Sequence, residues 1–308
     1  MLAKIATNQF RIHDEILDRF DIIGVDLRGT GLSSPITCSS ELYNQTQTTF
    51  YPSTADAFER LVKQNQAFRK SCLDMTGSDL IDYMDTISIV HDHEAVRRAL
   101  GGEKLTWLGQ SYGTQLGSQY AELYAENIRA MVLDSVVFLS QAETALFVES
   151  GASEDAAMGR FFAWCEQSNA TICPAAHLNT TRTLSETWQD LLLKAEQSPI
   201  PAPRCASGIY DCVTTAATSL DLRNAALALL DSQTVGFTML AGGIYQAVVR
   251  NDASTLLSYV PQLEKGANAY NASQDYGNVA ITCQDWRHAS SATEMEVHTY
   301  RCTYDTAC

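Results

Sequence analysis

Leu105-Thr106-Trp107-Leu108-Gly109-Gln110-Ser111-Tyr112-Gly113 decides the fold: an apolar run gives way at a serine between two glycines, and a helical pattern follows. Leu116, Tyr120, Leu123 and Tyr124 recur at helical spacing and give the following helix one apolar face. Arg129-Ala130-Met131-Val132-Leu133-Asp134 then reads as a second buried strand. Strand, helix, strand is a βαβ unit, whose crossover implies a parallel sheet. Gly109-Gln110-Ser111-Tyr112-Gly113 has the form of a nucleophile elbow. In such a turn the serine backbone is strained, its hydroxyl stands exposed at the strand's carboxyl end, and a side chain at either glycine position would strike the neighbouring strand or helix. The first turn of a helix leaves backbone N–H groups unpaired, so the Tyr112 N–H is placed to stabilise an oxyanion. A serine in this setting fits acyl transfer.

Upstream, Phe20 to Leu27 reads as a short apolar strand that runs into the glycine-rich loop Arg28-Gly29-Thr30-Gly31-Leu32-Ser33-Ser34-Pro35. Asp26 and Arg28 are expected to fix this loop by hydrogen bonds to backbone and to each other, a structural role. The spacing fits neither a dinucleotide fingerprint nor a P-loop, and no lysine follows the glycines.

Together, Gly24-x-Asp26-x-Arg28-Gly29-x-Gly31-x-Ser33-x-Pro35 and Gly109-Gln110-Ser111-Tyr112-Gly113-Thr114 resemble the α/β-hydrolase superfamily, in the branch of proline iminopeptidases and tripeptidyl aminopeptidases. The likeness continues through Val132-Leu133-Asp134-Ser135-Val136 and Ala280-Ile281-Thr282-Cys283-Gln284-Asp285. The resemblance implies a serine hydrolase acting on the amino-terminal end of peptides, with Ser111 as nucleophile and a helical cap over the site. It also implies an acidic group that grips the substrate α-ammonium, for which Glu143, Glu149, Glu154, Asp155 and Asp285 are the candidates, with nothing in the sequence to choose among them.

Two parts of the resemblance lack residues to carry them. Met1 to Arg19 contains no glycine, so the second oxyanion loop and its strand are missing, and only 23 residues follow Asp285. The triad order in this fold is Ser, then Asp or Glu, then His. Asp134 and His288 are the weak candidates for acid and base; His298 also follows the serine, while His13, His91, His93 and His177 read as surface or helix residues. The expectation is a chain cut at both ends, with triad acid and base outside it.

The net charge of −15 and pI near 4.7 argue against nucleic acid or an anionic membrane as partner. No run of eighteen apolar residues spans a membrane. Nine cysteines point to an oxidising compartment, with Cys38–Cys72, Cys165–Cys173 and Cys205–Cys212 as the pairs that bracket local excursions and one thiol left over among Cys283, Cys302 and Cys308. No C-x-x-C or H-x-x-x-H spacing supports a metal, and no cofactor is expected. The sequons at Asn44, Asn169, Asn179 and Asn271 fit a glycoprotein. Met1 to Asn8 has no apolar signal core, so an extracellular parent would carry its export signal elsewhere.

The expected architecture is α/β: an incomplete α/β-hydrolase fold with a mainly parallel sheet and a helical cap insertion. Residues 1–140 hold the incomplete core, including a helix that stops near Leu100 at Gly101; 141–275 the cap; and 276–308 a return segment to the core, with Tyr276–Asp285 rejoining the sheet. In the cap, Leu184, Trp188, Leu191, Leu192 and Ala195 form one apolar face and Leu222, Ala226, Leu229 and Leu230 another, joined by the stiff connector 198–203. The expected substrate is a peptide or small acyl compound. A carboxylesterase of the same fold is the nearer rival, and a noncatalytic hydrolase-fold binding protein the rival from another class.

Overall fold

The computed structural model describes residues 12–46, 55–138, 143–178, 181–212, 214–230, 233–260 and 269–285. Its main elements in chain order are α1 (Ala55–Thr76), α2 (Thr86–Ala99), β1 (Leu105–Gln110), α3 (Tyr112–Tyr124), β2 (Ile128–Asp134), α4 (Glu143–Gln167), α5 (Leu184–Gln197), β3 (Ile200–Pro201), β4 (Ala216–Ala217), α6 (Ser219–Leu230), α7 (Gln233–Val249) and α8 (Ala269–Asp285). The chain divides into two compact units, one of residues 1–38, 70–140 and 268–286, the other of 39–69, 141–267 and 287–308.

The first unit is built on the βαβ crossover. β1 and β2 pair in parallel, with Thr106 opposite Ala130 and Gln110 opposite Asp134. Leu116 and Tyr120 of α3 are buried, whereas Leu123 in its last turn is exposed. Tyr120 stacks on Trp107 at 5.6 Å between ring centroids, and His93 of α2 packs against the same indole at 5.4 Å. Helix α2 starts where the Asp85 side chain accepts from the Ser88 N–H, and it ends before Gly101, whose φ of 111° a side chain would oppose.

A buried ion pair within α2 is tied to α3 through Tyr120. Arg97 donates Nε and Nη2 to the two Glu94 carboxylate oxygens at 2.8 Å each, and Tyr120 donates its hydroxyl to Glu94 at 2.7 Å. The Arg97 bonds hold the Glu94 carboxyl down to about 2 against the opposing effect of burial, with Tyr120 helping.

Four expectations for this unit are corrected. Phe20–Leu27 is not a strand and has no ladder partner among the described residues. The β strands are half-buried rather than buried: Leu108 is 50% and Val132 58% exposed, since a parallel strand needs cover on both faces and neighbours on both edges. Arg28 does not bond Asp26. It forms a bidentate pair with Asp92 on α2 at 2.7 Å and donates to the Tyr83 and Ser88 carbonyls, while Asp26 accepts from the Leu32 N–H. Gly31 sits at φ 55°, where a side chain is strained and would lie 2.6 Å from Asp26 Cγ. Tyr276–Asp285 lies in helix α8, not in a strand.

The second unit is helical. Leu184, Trp188, Leu191, Leu192 and Ala195 of α5 and Leu222, Ala226 and Leu229 of α6 are buried in one core with Leu240, Ile244 and Leu256. A capping box at Thr183 and Glu186 starts α5. The connector 198–203 contributes β3, which pairs antiparallel with β4. Disulfides join Cys38–Cys72, Cys165–Cys173 and Cys205–Cys212, the three pairings read from the sequence; Cys302 and Cys308 lie outside the described residues. No described helix is long and apolar enough to cross a membrane.

Candidate active site

Ser111 occupies the single residue between β1 and α3, with φ 52° and ψ −121°. That backbone state is accessible to glycine and costs another residue about 1–3 kcal/mol. The surroundings over-determine it. The Ser111 N–H donates to the Asp134 carbonyl at 3.1 Å, and the Ser111 carbonyl accepts from the Thr114 N–H at 2.9 Å and the Thr114 hydroxyl at 2.6 Å. Thr114, fully buried, accepts in turn from the Val137 N–H. The result is an exposed serine at the carboxyl end of a strand and the amino end of a helix, where first-turn N–H groups face outward.

The two flanking glycines differ. A Cβ at Gly109 would stand 2.7 Å from the Gly113 carbonyl carbon and 2.7 Å from Trp107 Nε1, so β1 and α3 meet there with no room for a side chain. Gly113 has no heavy atom within 4 Å of a Cβ position, which corrects the expectation that both glycines are sterically required. The close packing falls instead on Gly117, one helical turn on, where a Cβ would stand 2.7 Å from Leu133 and from Trp107.

Tyr112 carries its N–H at the first helical position, and its side chain reaches inward to place its hydroxyl 2.7 Å from the Thr86 hydroxyl. Burial pushes the phenol well up, so it stays a donor. Thr86 also donates its N–H at 2.8 Å and its hydroxyl to Asp285, which accepts further from Gln115 Nε2 at 2.9 Å. Burial raises the Asp285 carboxyl, an effect the Thr86 bonds oppose and the Asp85 charge adds to. With three internal donors on its two oxygens, Asp285 is committed within the protein. Thr86 and Gln115 are the members that sequence reading missed. The available signal was a glutamine in the middle of the apolar pattern of α3.

The remaining candidates are placed as follows. Asp134 ends β2, exposed, and accepts from Gln110 Nε2 at 3.3 Å. His288 and His298 lie outside the described residues. The described histidines are engaged elsewhere: His13 with the Glu15 N–H, His91 with the Tyr124 hydroxyl, His93 with the Ile89 carbonyl and His177 with the Ser168 carbonyl. Asn169 is exposed and folds back on the Thr171 and Ile172 N–H groups; Asn44 and Asn271 lie on helical segments, and Asn179 lies outside the described residues. The Asn271 sequon serine, Ser273, is buried and accepts from the Gly31 N–H. A cavity of about 470 Å³ lies between Val25–Arg28 and Ile89–Val96, with Arg28 and Asp92 on its wall rather than Ser111.

A serine on a strand-to-helix turn in a βαβ unit is the local geometry of a nucleophile elbow. The chain belongs to the alpha/beta hydrolase fold family, which matches residues 2–204, about two thirds of its length. It is similar to serine protease Hip1 of Mycobacterium tuberculosis H37Rv, 38% identical over 133 residues covering 41% of this chain and 24% of that protein. It is similar to the tripeptidyl aminopeptidase of Streptomyces lividans, 30% identical over 198 residues covering 63% of this chain and 36% of that one. The putative hydrolase YuaR of Escherichia coli K12 is 30% identical over 261 residues, 82% of this chain and 47% of its own length. The chain thus spans less than half the length of these relatives.

Proposed function

We propose that this chain carries the nucleophile of a serine hydrolase that releases amino-terminal residues or short peptides through an acyl-enzyme at Ser111. The observation that carries the reading is the Ser111 backbone, held at φ 52° and ψ −121° on a strand-to-helix turn that leaves the serine exposed. In the reaction the Ser111 oxygen attacks a substrate carbonyl and its proton passes to a base. The carbonyl electrons move onto oxygen, where the Tyr112 N–H stabilises the charge. Collapse of the intermediate expels the amine, which takes the proton from the base, and water then hydrolyses the ester. Asp134 and His288 are the in-chain candidates for acid and base, with polypeptide outside this chain as the other source. Names that refer to a protease and an aminopeptidase among the relatives support a peptide substrate.

The reading includes an extracellular setting, supported by the three disulfides, and glycosylation at exposed Asn169. It also includes the division into a core of residues 1–140, a helical cap of 141–275 and a return segment of 276–308. A fluorophosphonate probe tests it: the wild-type chain is expected to label at Ser111 and Ser111→Ala to lose the label. No label at Ser111 in a polypeptide that also carries the base, as for a noncatalytic binding protein, would overturn the reading. Release of amines from amino-terminal peptide amides, against hydrolysis of short-chain esters, separates the aminopeptidase from the carboxylesterase.

A further inference from the structure

We propose that Asp285 is a positioning residue for the oxyanion amide: through Thr86 it fixes the Tyr112 side chain, and through Gln115 it ties down the first turn of α3, so that the Tyr112 N–H is held in aim. The proposal rests on the roles given above to Ser111 and Tyr112.

The geometry centres on one peptide plane. The Ser111 carbonyl and the Tyr112 N–H belong to the same planar unit. At one end the Ser111 oxygen is held by the Thr114 N–H and hydroxyl. At the other, the Tyr112 side chain is held at 2.7 Å by the Thr86 hydroxyl, itself fully buried and bonded to Asp285. Gln115, 2% exposed and one turn along α3, bonds the same carboxylate at 2.9 Å and the Thr86 hydroxyl at 3.3 Å. A plane pinned on both sides has little freedom to rotate, and an oxyanion donor needs an aim within about 10–20°.

The direction of the hydrogen bonds makes the carboxylate decisive. An ionised carboxylate only accepts, and Thr86 has one hydroxyl proton. That proton therefore points to Asp285, which leaves the Thr86 oxygen to accept from the Tyr112 hydroxyl. An amide in place of the carboxylate turns an NH2 group toward Thr86 or Gln115, sets donor against donor, and releases the chain that ends on Tyr112. Three segments distant in sequence, at residues 86, 112–115 and 285, converge on this one group.

The test measures the fluorophosphonate labelling rate of Ser111 in the full chain, together with the amide signal of Tyr112 in protein labelled with 15N-tyrosine. Asp285→Asn is expected to slow labelling about tenfold, with substrate KM nearly unchanged and kcat lowered. It should also shift the Tyr112 amide. Tyr112→Phe slows labelling too, and the double variant is no slower than Asp285→Asn alone, because both cut one chain. Thr86→Ser, which keeps the hydroxyl, restores the rate lost in Thr86→Val. Multiplicative effects in the double variant would overturn the proposal, as would an unmoved Tyr112 amide in Asp285→Asn. Tyr112→Phe and the Thr86 pair carry the same test if Asp285→Asn does not fold. If Ser111 does not label even in a polypeptide that carries the base, the nucleophile reading fails, and the Tyr112 amide still decides whether Asp285 holds it.

Discussion

Gly109→Ala puts a methyl group where β1 and α3 meet. The new carbon would stand 2.7 Å from the Gly113 carbonyl carbon and 2.7 Å from Trp107 Nε1, both well inside van der Waals contact. Relief requires the start of α3 to retreat by several tenths of an ångström, the kind of overpacking that costs about 1–3 kcal/mol. The same movement stretches the Trp107 Nε1 to Gly113 carbonyl hydrogen bond, 3.2 Å in length, whose loss adds about 1 kcal/mol. The total is about 2–4 kcal/mol of stability. Gly113→Ala meets no heavy atom within 4 Å and replaces glycine inside a helix, so it is neutral or stabilising by about 0.5–1 kcal/mol. Urea unfolding followed by circular dichroism should therefore move the midpoint down for Gly109→Ala and leave it or raise it for Gly113→Ala. Equal damage at the two positions, or a wild-type midpoint for Gly109→Ala, would refute the reasoning.

Glu94→Gln leaves Arg97 without its buried counter-charge and should cost about 3 kcal/mol at neutral pH by thermal melting. The folded Glu94 carboxyl is held at about 2, below its unfolded value, so its stabilisation is fully present above about pH 4.5 and fades as pH falls toward 2. An acid titration should accordingly be flatter in Glu94→Gln than in the wild type over that window. Removal of Cys38–Cys72, which closes a separation of 34 residues, should lower stability by about 4 kcal/mol, against about 2.5 kcal/mol for Cys165–Cys173 with its separation of 8, in paired-serine variants compared by urea unfolding.

The βαβ unit was legible because its information is local. The apolar runs, the helical spacing after Ser111 and the glycine before it all lie within thirty residues, and each element follows from its own pattern. The disulfides were legible for the same reason, as each pair brackets a short excursion. What failed depended on partners distant in sequence. Phe20–Leu27 has strand composition, but a strand exists only when another supplies its ladder. Arg28 found Asp92 rather than nearby Asp26, since the guanidinium fork reaches across to α2. Asp285 read as a free acid at the end of a motif, and nothing in its neighbourhood announced Thr86 or Gln115 as its donors.

The left-handed backbone at Ser111 also has a consequence for how this polypeptide tolerates change. A glycine there would relax the turn at once, so the most direct gain in heat resistance available at this bend coincides with loss of the hydroxyl. Laboratory selection for thermal hardiness alone should discard that serine early, and a library screened for turnover as well should retain it. On the reading of Ser111 as nucleophile, robustness and chemistry are set against each other at a single atom.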